Sequence, residues 1–451
     1  MHVCIISENS YPVSWGGVSE WCSSLINGLP EVGFSVFTIA PDCTLKYPLP
    51  SNIQSVEIAE LTQPRFKSRR NLGSEASRTL KTLSPLLRGE PLNCQKLFEC
   101  TQEADYSAEE LISSDENHEL LIKVYEQSFK GEPFVPFYYS WISLFYLLYK
   151  TIELYNKLPF TDINHALNTG YAGLLGSLAK VDRGTPLLVS EHGLYLKERN
   201  FELKYSEVQP WLHDLYRNFF TGLVKTSYKY SDKVTSVCQD HVHYQKQIDP
   251  NIKIKVIYNG VDTDKFKFND VAENREHYSV GTVSRVNPIK DQLTLIRSVP
   301  HVLKKHDAVF YVVGQVEDEE YYEECNQLVN ELGLNGRVKF TGFQNSSEWY
   351  PRFDVFILPS LSEGFPLTIL EALSSGVPCI ATNVGGVSEI LSKDYLVDKW
   401  DPRGLASKIN WLLEDDDQRK ITRYLGRRLV ERRFSLDAMV SEYKRIYEGL
   451  C

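Results

Sequence analysis

A chain of 451 residues exceeds what one hydrophobic core usually supports, so two domains of roughly 200 residues each are expected. Apolar residues at 42% and charged residues at 24% exclude a disordered, collagen-like or low-complexity chain, and no internal repeat of about 20 to 50 residues runs through it. A formal net charge of −10 argues against nucleic acid as a partner spread over the surface, and leaves room for a local basic pocket of the kind a phosphate-bearing ligand needs.

The opening MHVCIISENS has no charged leader region and no small-residue cleavage site, and it reads as a buried first strand. Further β-branched runs follow: FSVFTIA, DINHAL, PLLVSEH, KVTSVCQ and KIKVIYNG in the first half, then YSVGTVS, AVFYVVGQ, RVKFTGF, DVFILPS and PCIATN in the second. They alternate with longer segments of helical periodicity, which is the pattern of parallel sheets covered by helices. Each series is enough for one doubly wound sheet. The fold class is therefore α/β, with two Rossmann-like doubly wound domains facing across a cleft, and with ligands expected outside the carboxyl ends of the strands.

The polar stretch Val261 to His277 is read as the linker, which gives an N-terminal domain over 1–265 and a C-terminal one over 278–430. The segment from about 61 to 160 is charged and without clear strands in its first part, and it reads as a helical insertion. Its apolar end, FVPFYYSWISLFYLLYK, is too short to cross a bilayer comfortably. An internal helix is expected there, with peripheral contact to a membrane or membrane complex as the alternative. The last segment, 431–451, contains LDAMVSEYKRIYEG, with apolar positions at helical spacing, and must pack on something. Nine cysteines without Cys-x-x-Cys spacing or neighbouring His pairs point to a reducing cytoplasm and to no metal site.

Four stretches carry chemistry. In YPVSWGGVSEW, Gly16 and Gly17 let a ligand approach the main chain before a helix whose free N–H groups attract anions, although a Gly-Gly turn is often purely structural. PLLVSEH runs into GLYLKER, so Glu191, His192, Lys197 and Arg199 cluster after a strand. A neutral His there can exchange hydrogen bonds with a sugar hydroxyl, and the cations suit an anionic ligand; a loop histidine with solvated neighbours is the plain alternative. In GTVSRVNPIKD, Arg285 and Lys290 stand five positions apart at a strand exit and can converge on one diphosphate, unless they only form an ion pair with Asp291 or Glu363. Finally SEGFPLTILEALSSG reads as a turn, then a helix ended by Gly376. Pro366 suits the first turn, which leaves the N–H groups of Leu367 and Thr368 aimed at an incoming phosphate. Glu363 before the helix and Glu371 inside it are eight positions apart. They would accept hydroxyl hydrogen bonds on opposite sides of that phosphate, from the sugar and from the ribose.

Taken together, Arg285, Lys290 and the Glu363-x7-Glu371 block resemble the donor-site signature of GT-B-fold retaining glycosyltransferases of family four. SYPVSWGGVSEW, HALNTGYAGLLGSLAK, SEHGLYLKER, YNGVDTDKF and VNPIKD further resemble the PelF-like (Pel exopolysaccharide) subgroup. The resemblance implies a retaining, metal-independent hexosyltransferase. Such an enzyme would move a sugar from UDP-glucose or a related UDP-sugar to a saccharide or other hydroxyl acceptor, in exopolysaccharide or cell-surface glycan synthesis. Glu363, His192, Arg285 and Lys290 are implied as catalytic. Gly16, Gly17, Phe343, Gly364, Phe365, Pro366, Leu367, Thr368 and Glu371 are implied to join them at the donor, with Glu191, Lys197, Arg199 and His165 on the acceptor side, and with the last helix packed back on the N-terminal domain. No cofactor beyond the nucleotide sugar is implied. A nucleotide-sugar epimerase or phosphorylase on the same fold, or a non-catalytic nucleotide-sugar sensor, are the alternatives, because fold does not fix reaction.

Overall fold

The computed structural model describes residues 1–61, 63–102, 104–269 and 276–451. The chain divides into two compact units, one comprising Met1–Ser236, Val242–Val256 and Lys444–Cys451, the other Val237–His241 and Ile257–Tyr443. Of the expected linker, 270–275 lie outside the described residues. The part nearest the boundary is structured, since Val261 donates its N–H to Phe434 O at 2.9 Å and pairs with Ser435 in a short bridge.

The first unit is built on a seven-stranded sheet of β1 (His2–Glu8), β2 (Gly33–Ala40), β3 (Ile53–Glu60), β4 (Ile163–Ala166), β5 (Leu187–Glu191), β6 (Lys233–Ser236) and β7 (Ile254–Val256), in the order β3-β2-β1-β4-β5-β6-β7. All neighbours are parallel. The central strands are buried along nearly their whole length, which is why they appear in the sequence as unbroken apolar runs. Strand β3 escaped that reading. As an edge strand it carries Gln54, Ser55 and Glu57 among its apolar residues, and this polar edge blunts its hydrophobic signature.

The second unit holds a six-stranded parallel sheet of β8 (Tyr278–Val283), β9 (Ala308–Val313), β10 (Val338–Gly342), β11 (Val355–Leu358), β12 (Cys379–Thr382) and β13 (Leu396–Val397), ordered β10-β9-β8-β11-β12-β13. In both sheets the chain starts near the middle and reverses direction beside its first strand. Those reversals, β1/β4 and β8/β11, are the points where doubly wound sheets open a crevice.

Between β3 and β4 run the helices Ser74–Leu83, Cys94–Gln102, Ala108–Ile112, Asp115–Ser128 and Phe134–Leu154. The aromatic segment is the core of this insertion. Trp141 stacks on Phe145 at 4.0 Å between ring centroids, and Asn117 Oδ1 accepts hydrogen bonds from Trp141 Nε1 at 3.2 Å and from Tyr149 OH at 3.0 Å. A partnered amide at that depth fixes one packing of the rings. Among the described residues no helix is long and apolar enough to cross a membrane.

The insertion is locked to the sheet by the helix His213–Tyr230, where Phe219 meets Phe145 edge-on at 5.6 Å. Gly222 on that helix has no room for a side chain, since a Cβ would lie 2.6 Å from Leu86 Cδ2 and 2.8 Å from Glu90 O. Replacing Gly222 with Ala is expected to cost about 1–3 kcal/mol through overpacking. A lower urea midpoint and faster proteolytic nicking within 74–102 would report it, and an unchanged midpoint would contradict this packing.

Candidate functional site

In the second unit, β8 ends at Val283 and its exit carries Arg285, Val286 and Asn287 into a short turn over Pro288–Lys290. Asn287 caps that turn, its Oδ1 accepting from Lys290 N at 3.2 Å. The turn is pinned to the exit of β11, because Leu361 donates its N–H to Ile289 O at 2.8 Å. Two neighbouring strands thereby deliver their loops to one place, and Lys290 Nζ meets Glu363 Oε1 at 2.6 Å. Only 18% of the lysine side chain and 11% of the glutamate side chain remain exposed. A desolvated pair of this kind is costly to break from one side.

Glu363 is held from behind as well. Gly386 donates to Gly364 O at 2.8 Å, and Gly385, at φ +51°, lies so close that a Cβ there would sit 1.9 Å from Glu363 O. Glycine is required at Gly385 for both reasons. Pro366 then starts the helix Leu367–Ser374, which closes on Gly376 at φ +78° with Val377 N bonded to Ala372 O at 2.8 Å. Among the described residues no side chain caps its N-terminus, which leaves the first N–H groups, those of Leu367 and Thr368 included, to a ligand or to water. Inside the helix Glu371 Oε2 accepts from the buried Tyr350 hydroxyl at 2.7 Å.

Arg285 stands on the same strand exit, about 44% exposed, in an ion pair with Glu317 rather than with Asp291 or Glu363. Asp291 is occupied otherwise, capping the next helix through Thr294. Phe343 follows β10 and is 60% exposed. Phe365 turns its ring into the core. Its ring is 3% exposed, packed between Tyr258 and Phe434 at 4.9 and 5.2 Å, so only its backbone can face a ligand.

In the first unit, the turn after β1 leads through Gly16 into the helix Gly17–Gly28, and a Cβ at Gly16 or Gly17 would meet nothing within 4 Å. These glycines border open space rather than packed protein. Trp21 of that helix lies 4.2 Å from the His192 ring and 5.9 Å from that of His165. His192 Nε2 is buried with no hydrogen-bond partner among the described residues. Lys197 sits over the Tyr244 ring at 4.9 Å, and Arg199 pairs with Glu202 at 2.7 Å.

His165 and Glu191 require correction. Neither is placed to touch an acceptor. His165 is fully buried, with Nδ1 on the Tyr447 hydroxyl and Nε2 on Ser190 Oγ, both at 2.7 Å. Glu191 is 2% exposed and accepts from Thr169 Oγ1 at 2.7 Å, Tyr228 OH at 2.9 Å and Gln245 Nε2 at 2.6 Å. Both hold the strand ends that carry their neighbours. Asn287, Glu317, Trp21 and Tyr350, all in contact with site residues, were missed by sequence reasoning. For Glu317 a signal existed in its position just past a strand, but it lies in a run of acids (EDEE) that gives no reason to choose among them.

The chain is similar to known proteins in sequence and in fold. Residues 1–251 match a family described as a domain of unknown function (DUF3492), and residues 277–415 match the glycosyl transferases group 1. N-acetyl-alpha-D-glucosaminyl L-malate synthase of Bacillus anthracis is 28% identical over 238 residues, 50% of this chain and 62% of that protein. The chain thus spans less than two thirds of that relative. UDP-Gal:alpha-D-GlcNAc-diphosphoundecaprenol alpha-1,3-galactosyltransferase of Escherichia coli is 30% identical over 284 residues, 58% of this chain and 68% of that one. Among solved structures, sucrose-phosphate synthase of Thermosynechococcus elongatus superposes with a TM-score of 0.67 at 18% identity, covering 100% of this chain and 98% of that one. HepE of Anabaena in complex with UDP gives 0.66 at 18% identity, covering 100% of both chains. The two parallel-sheet Rossmann-like units are those of the GT-B fold. The chain belongs to the group 1 glycosyltransferases.

Burial lowers the pKa of His192 to about 3 and that of His165 well below 6.5, with His192 adding to the effect on His165. The folded chain keeps both rings neutral where the unfolded chain binds a proton on each. This contribution to stability is therefore present above about pH 6.5 and falls as pH drops below it, by at most about 1.4 kcal/mol per pH unit for each ring. Urea midpoints followed by tryptophan fluorescence should decline between pH 7 and pH 5, and less steeply in His192→Gln. An identical slope in that variant would contradict the assignment for His192.

Proposed function

We propose that the protein is a retaining hexosyltransferase that uses a UDP-sugar, UDP-glucose or a close relative, and requires no metal. The observation that carries this reading is the Lys290–Glu363 pair at the β8/β11 reversal, beside an uncapped helix start and with Arg285 on the same strand exit. A diphosphate seated there would meet the N–H groups of Leu367 and Thr368, the ammonium of Lys290 and the guanidinium of Arg285.

As the bond from the anomeric carbon to the β-phosphate oxygen breaks, negative charge grows on the leaving diphosphate. Those donors offset it without reorganising, so no divalent cation is assigned a role. The acceptor oxygen bonds to the anomeric carbon on the face the diphosphate leaves, and its proton passes to a diphosphate oxygen. Glu363 accepts from the sugar hydroxyls, and Glu371, steadied by Tyr350, from the ribose. His192, neutral at physiological pH, is the hydrogen-bonding group assigned to the acceptor side, with Lys197 and Arg199 near it in sequence. The UDP and UDP-glucose complexes of HepE and the UDP-galactose named for the E. coli relative support uridine as the base. Likeness to the PelF-like subgroup supports a saccharide acceptor in exopolysaccharide or cell-surface glycan synthesis. Nine free thiols fit a reducing cytoplasm, at the inner face of a membrane or beside a membrane complex.

Purified protein incubated with labelled UDP-sugars should hydrolyse its donor slowly even without acceptor. Arg285→Ala and Glu363→Ala, checked for folding by circular dichroism, should each lose about 100-fold or more of that rate. Isomerised sugar, phosphate dependence, or turnover unaffected by either substitution would overturn the reading.

A further inference from the structure

The loop after β9 lies against the loop after β8 along several residues. Ser284 N bonds to Val313 O at 3.0 Å, Val286 N to Gln315 O at 2.9 Å, and Glu317 N back to Val286 O at 3.2 Å. Gly314 permits this approach, since a Cβ there would sit 2.0 Å from Ser284 O. Glu317 is thus fixed by backbone beside the strand exit that carries both site cations. Its carboxylate uses both oxygens, Oε1 toward Arg285 Nη1 and Oε2 toward Asn287 Nδ2. Asn287, only 9% exposed, turns its other side-chain atom to the N–H of Lys290.

The acids around Glu317 have a local explanation that does not extend to it. Asp318 caps the helix Glu319–Glu331 through Tyr321 N at 2.9 Å, and Glu319 and Glu320 occupy its first turn, where a carboxylate favours the helix dipole. Glu317 lies outside that helix and faces the cations. Two cations converging on one anion repel each other while the site is empty, and a long guanidinium is free to sample many rotamers. A carboxylate that bridges one cation and the cap of the other's turn restrains both.

We propose that Glu317 is a positioning residue for the donor site, presetting Arg285 directly and the Lys290 turn through Asn287; this rests on the donor-diphosphate reading given above. Arg285 retains Nε and Nη2 for phosphate while Nη1 stays on Glu317. Exposed ion pairs seldom matter to stability, so Glu317→Ala should melt as the wild type does, and the effect should fall on ligand binding.

The test is titration calorimetry with UDP. Glu317→Ala is expected to weaken UDP about tenfold, as loss of a supporting contact does at comparable sites, and Glu317→Gln, which keeps one acceptor, should recover part of it. In an Arg285→Ala background the further substitution Glu317→Ala should weaken UDP less than it does in the wild type, because only its action on the Lys290 turn through Asn287 remains. UDP affinity equal to or tighter than wild type in Glu317→Ala, beside a weakened Arg285→Ala, overturns this proposal alone, as does full additivity in the double variant. Undiminished UDP affinity in Arg285→Ala overturns the donor-site reading and the proposal with it.

Discussion

The ion pair between Lys290 and Glu363 is the constraint on which the second unit's site depends. It joins the exits of β8 and β11, strands that neighbour each other in the sheet but lie far apart in the chain. Removing one partner of a pair this shielded from water leaves the other charge without its counter-ion. The surrounding structure is arranged to keep both in place: Leu361 bonded to Ile289, Gly386 bonded to Gly364, and Gly385 too close to Glu363 O for any side chain. Under the proposed function, an anion entering here would meet a lysine already largely shielded from water and already aimed. Preorganisation of this kind is what electrostatic catalysis requires.

The first unit handles its polar groups differently. At the ends of β4 and β5, His165 and Glu191 are sealed into networks with Ser190, Tyr447, Thr169, Tyr228 and Gln245. Burying such groups is tolerable only because each finds its partners. His192, one residue beyond Glu191, has Nε2 without a partner among the described residues. A saturated neighbour holding an unsatisfied one is the division of labour expected when a strand end both supports and presents a site.

Much of the fold was legible because parallel strands buried on both faces advertise themselves as short β-branched runs, and β1, β2, β8, β9 and β11 all do so. Strand β3 did not, since an edge strand with Gln54, Ser55 and Glu57 resembles a loop. The turn positions of the candidate donor residues were legible through strand–turn–helix grammar: Arg285 and Lys290 after one strand, Glu363 before a proline-led helix. His165 and Glu191 were misread for a physical reason. A polar residue at a strand's carboxyl end looks the same in sequence whether it faces a ligand or an internal partner, and here the partners Tyr447 and Gln245 come from segments 282 and 54 residues away. Phe365 has its backbone at the turn and its ring in the core, a split the sequence does not reveal.

A crystal of the protein soaked with UDP tests the central claim most directly. The diphosphate is expected against the N–H groups of Leu367 and Thr368, with Lys290 Nζ and the Arg285 guanidinium both within hydrogen-bonding distance of its oxygens. A nucleotide bound elsewhere, or bound there with Arg285 and Lys290 turned away from the phosphates, would contradict it.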